Sequence, residues 1–326
     1  MVAFEPRTWQ PAAAPALSGD LEANERLAKA RIVPVGTEGP EDVVIDGEGV
    51  AFTGTADGVI REIDRGGKVT QLAEPGGRPL GIEWHGDDLL VCNADLGLQL
   101  VSRTGQVETL VDEFEGQRLR FTNNAAVASD GTIYFTDTSM RWGIADYVND
   151  LLEGQTTGRL FARAPSGDVR VCTDGLQFAN GVALDTEEQS VFVAETGRYR
   201  VHRHWLAGPR KGKTELFLDN LPGFPDNLTF GGGTLWVALA SPRQRVVDFM
   251  APRGWMRHLS YRLPESLKPK PVRHGFVLGY DEAGRLVHNL QDRSGRVAIT
   301  TSARYHEGAL WVGSLSEPHL AVLDLE

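Results

Sequence analysis

Four residues carry types that could do chemistry together: Glu41 in G-P-E-D, Asn123 in F-T-N-N, Asn180 in F-A-N-G and Asp226 in F-P-D-N. Each stands where a turn runs into a short apolar segment. Taken singly, such motifs are turn chemistry, because Pro, Asp, Asn and Gly punctuate loops. All four supply side-chain oxygen, and they recur at one phase of four separate segments, which turns alone do not require. Two carboxylates and two amide carbonyls suit Ca2+, which tolerates flexible oxygen coordination with bound water. Magnesium gives up its water reluctantly, and zinc usually brings His or Cys. The same phase elsewhere holds Leu80 in R-P-L-G-I and the region of Tyr305 and His306.

Positioning four distant donors at one point requires a repeating frame. Segments 42–55, 80–93, 124–137, 181–196, 227–239 and 303–315 each read as a strand, a turn and a second strand; N-A-A-V-A-S-D-G-T-I-Y-F-T-D is the clearest. Short runs of β-branched and aromatic residues separated by D-G, G-G, S-G and E-G turns are hairpin signals. Six copies, mostly roughly 40 to 57 residues apart with one gap near 80, predict an all-β, six-bladed β-propeller. A β-sandwich is the structural runner-up, but it needs fewer phased copies. A ring of blades closes by pairing the two chain ends, and A-R-I-V-P-V (30–35) is a suitable closing strand. In such a ring the inner strands line a channel, so residues at their starts converge.

Residues 18–30 carry a weak apolar face and are expected to form a helix, with residues 1–30 as an arm and 31–326 as a single propeller domain. Two stretches interrupt the repeat, at 140–154 and roughly 240–275, and are expected to form helical or loop inserts over the channel entrance. Trp142, Tyr147, Phe249, Trp255 and Met256 in these inserts suggest an apolar pocket wall, hence a hydrophobic substrate.

The chain has 326 residues and a formal net charge of -11. That balance supplies no basic stripe for phosphate binding and argues against a nucleic-acid partner. Cys92 and Cys172 lack CxxC spacing and read as buried free thiols. The N-terminus shows no basic region leading into an apolar run, and no run approaches the ~20 residues of a membrane span. The expected setting is cytoplasmic, with a small-molecule substrate as the partner.

G-P-E-D-V-V-I-D, F-T-N-N-A-A-V-A-S-D-G-T-I-Y-F-T-D-T-S, F-A-N-G-V-A-L-D, V-A-E-T, L-P-G-F-P-D-N-L and W-V-G-S-L together resemble the strictosidine-synthase-like branch of the gluconolactonase/senescence-marker-protein superfamily, close to the adipocyte plasma-membrane-associated protein. The resemblance runs from about residue 17 to the end of the chain, with paraoxonases more distant. It implies a propeller with one calcium ion in the central channel, held by Glu41, Asn123, Asn180 and Asp226. The family usually has Asn-Asp where this chain has Asn123-Asn124, so one supporting carboxylate is absent.

The resemblance further implies a calcium-dependent hydrolase of a lactone or small ester. Asp226 is then the nucleophile or general base, because the related hydrolases use the equivalent Asp, and Glu41 is the alternative. Plant strictosidine synthases carry a catalytic Glu in an E-H-D-G-like segment; matched to Y-H-E-G, its place falls to Tyr305, which weakens a bond-forming synthase reading. The paraoxonase histidine dyad is replaced by Leu80 and Ala94. His274 in V-R-H-G-F is a further catalytic candidate. The rival from another class is a non-catalytic propeller in which calcium closes the channel and the rim binds a partner.

Overall fold

The computed structural model describes residues 3–325. Six four-stranded antiparallel sheets follow one another along the chain. The first contains Val43–Ile45, Ala51–Gly54, Ile60–Ile63 and Val69–Ala73, and the second Pro79–His85, Asp88–Asn93, Gly97–Val101 and Val107–Val111. The third contains Thr122–Val127, Ile133–Asp137, Gly158–Arg163 and Val169–Leu176, and the fourth Ala179–Leu184, Ser190–Glu195, Arg200–Trp205 and Thr214–Leu218. The fifth is Gly223–Gly231, Thr234–Pro242, Gly275–Tyr280 and Leu286–Asp292.

The sixth blade takes Thr300–His306, Ala309–Ser314 and His319–Asp324 from the C-terminal end and Arg31–Pro34 from near the other. Arg31 pairs with Val322 and Pro34 with His319, which closes the ring. The first strand of each blade touches the first strands of its neighbours. Apolar side chains pack between adjacent blades: Leu228 and Val237 with Phe192 and Val201, Trp236 with Leu310 and Val312. This burial between faces is what a sheet with two apolar sides requires.

The expected helix at 18–30 does not form. The segment makes two 3-10 turns, Gly19–Leu21 and Leu27–Lys29. Asn24 explains the difference: its Oδ1 accepts from the Arg26 and Gln291 amides, and its Nδ2 donates to the Asn289 carbonyl. A side chain that bonds neighbouring backbone competes with helix formation. Leu27 is then fully buried between the fifth and sixth blades.

Both inserts are helical. The first carries α1 (Tyr147–Glu153), and the second α2 (Arg245–Met250) and α3 (Gly254–Tyr261). They pack on one another above the channel together with the N-terminal arm. Glu153 fastens this cap: its buried carboxylate accepts from the Glu5 amide, the Arg141 guanidinium and the Trp142 indole, at 2.7 to 2.8 Å. Phe4 stacks on Tyr261 at 4.2 Å between centroids, so the arm is part of the cap.

Candidate active site

Five inner strands share one irregularity. In blades two to five, the pairs Leu80-Gly81, Asn123-Asn124, Asn180-Gly181 and Asp226-Asn227 each stand opposite a single residue of the neighbouring strand. Each is a β-bulge, which bends a strand and re-aims a side chain. Leu80, Asn123, Asn180 and Asp226, the first residue of each pair, line one pocket. Glu41 joins them from the turn before the first blade. Gly181 is demanded by this packing, because a Cβ there would lie 2.5 Å from the Asp226 carbonyl oxygen and 2.3 Å from the Leu228 amide nitrogen.

The sixth blade departs from the expected phase. Its extra residue is Thr301, whose hydroxyl donates to the Glu41 carbonyl at 2.6 Å. Tyr305 and His306 end that inner strand, and Tyr305 packs against Gly231 and Gly232. The pocket residues from this region are Ile299 and Leu315. Tyr305 is therefore remote from the pocket, and its identity says nothing about the chemistry there.

Glu41, Asn123 and Asn180 are buried, and Asp226 keeps partial exposure toward the pocket. Glu41 Oε1 accepts from Asn227 Nδ2 at 2.9 Å, while Oε2 has no partner. Asn123 donates its Nδ2 to Thr138 Oγ1 at 3.0 Å, and its Oδ1 has no partner. Asn180 Oδ1 is likewise unpartnered. Buried polar atoms are otherwise almost always paired. Three orphaned oxygens, one carboxylate and two amide, each at an expected ligand position, fit a hard cation. Among the described residues no three His, Cys, Asp or Glu side chains form such a group; the donors here are two carboxylates and two amides.

Burial, and then the Asp226 and Asp42 carboxylates, push the Glu41 carboxyl well above the usual range, against the opposing Arg78 guanidinium and Asn227 amide. Burial pushes Asp226 up to about 7, with Asn180 opposing and Asp42 adding to the shift. Three acids packed away from water resist ionising together. A divalent cation would reverse that balance.

Asp42 escaped sequence reading. It is fully buried, accepts from the Val43 amide at 2.8 Å and the Ile82 amide at 3.2 Å, and faces Arg304 at 3.7 Å. Its signal was its place directly after Glu41, matching Asn124 and Asn227 after their own pocket residues. Asn124 works in the same layer: its Oδ1 accepts from the Val182 amide at 2.8 Å, and its Nδ2 reaches Asp42 at 3.4 Å. The supporting carboxylate missing at position 124 thus has an acidic neighbour at 42.

His274 lies outside the pocket. It is buried on Gln291, 3.1 Å from its Oε1, and stacks on Phe276. No histidine lines the pocket among the described residues. Leu80 and Ala94 pack instead with Phe121 and Phe178, and Leu80, Phe121 and Phe178 line the pocket. Of the aromatic residues expected in the wall, only Tyr147 is there. Trp142 is buried in the cap with Phe4, Met256 packs against that cluster, and Phe249 and Trp255 are exposed, Trp255 at 69%. Helical periodicity gave each helix an apolar face without saying which side met the ring. Trp9 of the arm also lines the pocket, a contribution nothing in its sequence context marked.

Phe178, Tyr199 and Ile299, all pocket residues, have φ of +63°, +59° and +51°. Left-handed backbone is unusual for such residues, above all for β-branched Ile299, and such strain gathers at functional sites. Glu195 and Asp137 hold two of the approaching loops by accepting from the Gln177 and Phe121 amides, each at 2.9 Å.

A ring of six blades, capped by helices, with oxygen donors meeting in a partly open pocket of about 140 Å3, defines a propeller with a central-channel site. The Strictosidine synthase family model matches residues 123–209, and the model for the strictosidine synthase-like N-terminal region matches 19–63. The adipocyte plasma membrane-associated protein of Salmo salar is 36% identical over 95% of this chain and 82% of its own length; that of Homo sapiens is 34% identical over 96% and 82%. The chain belongs to this strictosidine synthase-like family.

Among solved structures, a gluconolactonase from Xanthomonas campestris matches with a TM-score of 0.68 at 18% identity, covering 92% of this chain and 91% of its own. The calcium-binding protein regucalcin of Agrobacterium tumefaciens matches with 0.65 at 17%, covering 91% and 94%. At these identities the likeness is one of fold. Among the described residues no helix is long and apolar enough to cross a membrane. Cys92 and Cys172 are free, Cys92 buried and Cys172 only partly so.

Proposed function

We propose that this protein is a calcium-dependent hydrolase of a lactone or small ester. The observation that carries the reading is the set of unpartnered oxygens of Glu41, Asn123 and Asn180, facing a pocket shared with Asp226. The fold neighbours described as a gluconolactonase and a calcium-binding protein support both halves of it. Glu41, Asn123, Asn180 and Asp226 would hold the ion, which when bound polarises the carbonyl oxygen of the substrate.

The chain's own groups supply the remainder. Asp226, the donor that keeps exposure toward the pocket, is the carboxylate placed to meet a substrate or its attacking water. As general base it takes a proton from water, whose oxygen joins the carbonyl carbon. When the ester C–O bond breaks, that proton passes to the leaving alkoxide. As nucleophile it would instead join the carbonyl carbon through its own oxygen as the ester C–O bond breaks and the alkoxide leaves. Water attacking Asp226 Cγ would then free the acyl group as a carboxylate, and one of that water's protons would pass to the alkoxide. A single turnover in 18O-water separates the two, since only the nucleophilic route leaves label in the Asp226 carboxylate. Phe121, Phe178 and Leu151 favour an apolar substrate and keep bulk water from the floor.

The non-catalytic alternative calls for a capped ion, whereas the donors here face a pocket with apolar walls. A panel of lactones and aryl esters, assayed with calcium and with chelator, tests the reading. Calcium-dependent turnover that Asp226→Ala abolishes is expected; no turnover at full calcium occupancy would sink it. The two unpaired cysteines fit a reducing, cytoplasmic setting, which fractionation of the producing cell would check.

A further inference from the structure

Arg257, on α3, is a buried cation without a counter-charge. It is 4% exposed and lines the pocket. Nη1 donates to the Arg7 carbonyl at 2.6 Å, and among the described residues it forms no ion pair. Three other buried or half-buried arginines have acidic partners: Arg159 holds Asp137, Arg243 holds Asp248 and Arg304 holds Glu83. Arg78, buried without an ion pair among the described residues, still has the Glu41 carboxyl favouring its charge. The group that favours the Arg257 charge is the Tyr199 phenol, itself pushed above its usual range by burial. Arg7 and Arg198 add positive potential on the same side.

An ion taken from water without a partner is strongly unfavourable unless something completes it. The group that would do so must come from the pocket, because no acid among the described residues pairs with it. Arg257 belongs to the cap, the oxygen donors belong to the ring, and apolar side chains such as Leu151, Val148 and Phe178 lie along the walls.

We propose that Arg257 is the binding point for an anionic end of the substrate, so that the preferred lactone or ester carries a carboxylate joined to its reacting carbonyl through an apolar segment. A guanidinium matches a carboxylate in charge and in fork geometry. The recognition is separate from the chemistry, and Arg257 is a specificity residue. The substrate class rests on the hydrolase reading; the anion site does not.

The test therefore has two arms. Binding of sodium octanoate and of 1-octanol is measured by calorimetry on the full chain in excess chelator, which removes calcium as an alternative seat for the carboxylate. The wild type is expected to favour octanoate by at least about tenfold. Arg257→Gln is expected to lose that preference, with Arg257→Lys retaining part of it. Equal binding of the two probes by the wild type would overturn the proposal, with no reliance on any variant's folding. A preference that survives in Arg257→Gln would overturn it too.

The kinetic arm compares a monoaryl ester of a dicarboxylic acid with the aryl ester of a neutral acid of equal length. The ratio of their kcat/KM values should fall about tenfold or more in Arg257→Gln, mainly through KM of the charged ester. Octanoate selectivity without any turnover would leave the anion site standing and remove the hydrolase reading. Turnover without octanoate selectivity would do the reverse.

Discussion

Asn227 Nδ2 donates to Glu41 Oε1 at 2.9 Å, joining the fifth blade to the turn before the first across the channel. One oxygen of Glu41 is thereby held still and the other left free. A residue that orients a metal ligand in this way is usually worth roughly 10- to 100-fold in affinity. Asn227→Ala is accordingly expected to weaken calcium binding by about that factor. Isothermal titration with calcium measures it, and an affinity equal to that of the wild type would contradict the assignment of Glu41 as a ligand.

The buried acids make a prediction with two signs. With calcium the protein should melt higher, by an amount that grows with the logarithm of free calcium and reaches about 2.7 kcal/mol at one hundred times Kd. Under chelator the order should reverse for Glu41→Gln. That variant lacks one of three mutually repelling buried carboxyls, so it should melt at or above the chelated wild type and gain little from calcium. Differential scanning calorimetry of both proteins, with calcium and with chelator, gives all four values.

Much of this architecture was legible in the sequence because a propeller repeats itself. Six strand–turn–strand units and the closing strand near residue 31 can be found by comparing the chain with itself. The four pocket donors followed from their shared phase. The physical cause of that phase for Asn123, Asn180 and Asp226, a bulge at the same place in their inner strands, is a backbone event that side-chain patterns do not encode, while Glu41 reaches the pocket from a turn. The sixth blade was misplaced because its bulge residue is Thr301, which resembles none of the donors. Trp255 and Phe249 were assigned inward because a short helix shows an apolar stripe without showing what it meets. Arg257 drew no notice, since an arginine in an insert reads as surface until its burial is seen.

Asp150, on α1, offers a pH test away from the pocket floor. It is 1% exposed, its Oδ1 has no partner, and burial pushes its carboxyl up to about 7, with Ser139 opposing and Glu153 adding to the shift. The folded state thus holds a proton that the unfolded chain releases near pH 4. Stability from this group is complete below about pH 4 and is lost as pH rises toward 7, at roughly 1.4 kcal/mol per pH unit within that window. Asp150→Asn should flatten the curve. Urea unfolding between pH 4.5 and 7.5 measures both slopes; parallel curves would show that Asp150 titrates normally.

Gly181 tests whether the bulge, rather than the ligand alone, builds the site. Gly181→Ala leaves Asn180 and Asp226 in place but puts a Cβ within 2.5 Å of backbone in the neighbouring blade. No side-chain rotation relieves a contact with main chain, so the fourth and fifth inner strands must move apart. Overpacking of this kind costs roughly 1–3 kcal/mol. The displacement falls directly on Asn180 and Asp226, so calcium affinity should drop by more than the loss of global stability would produce. Glycine has a second relevant property, backbone freedom, but Gly181 is not among the glycines with positive φ, so the effect is steric. The decisive comparison is with Leu27→Ala, a fully buried site far from the pocket, expected to cost about 2–5 kcal/mol. If Gly181→Ala loses calcium affinity while Leu27→Ala unfolds more easily yet binds calcium normally, the bulge sets the geometry of the donors.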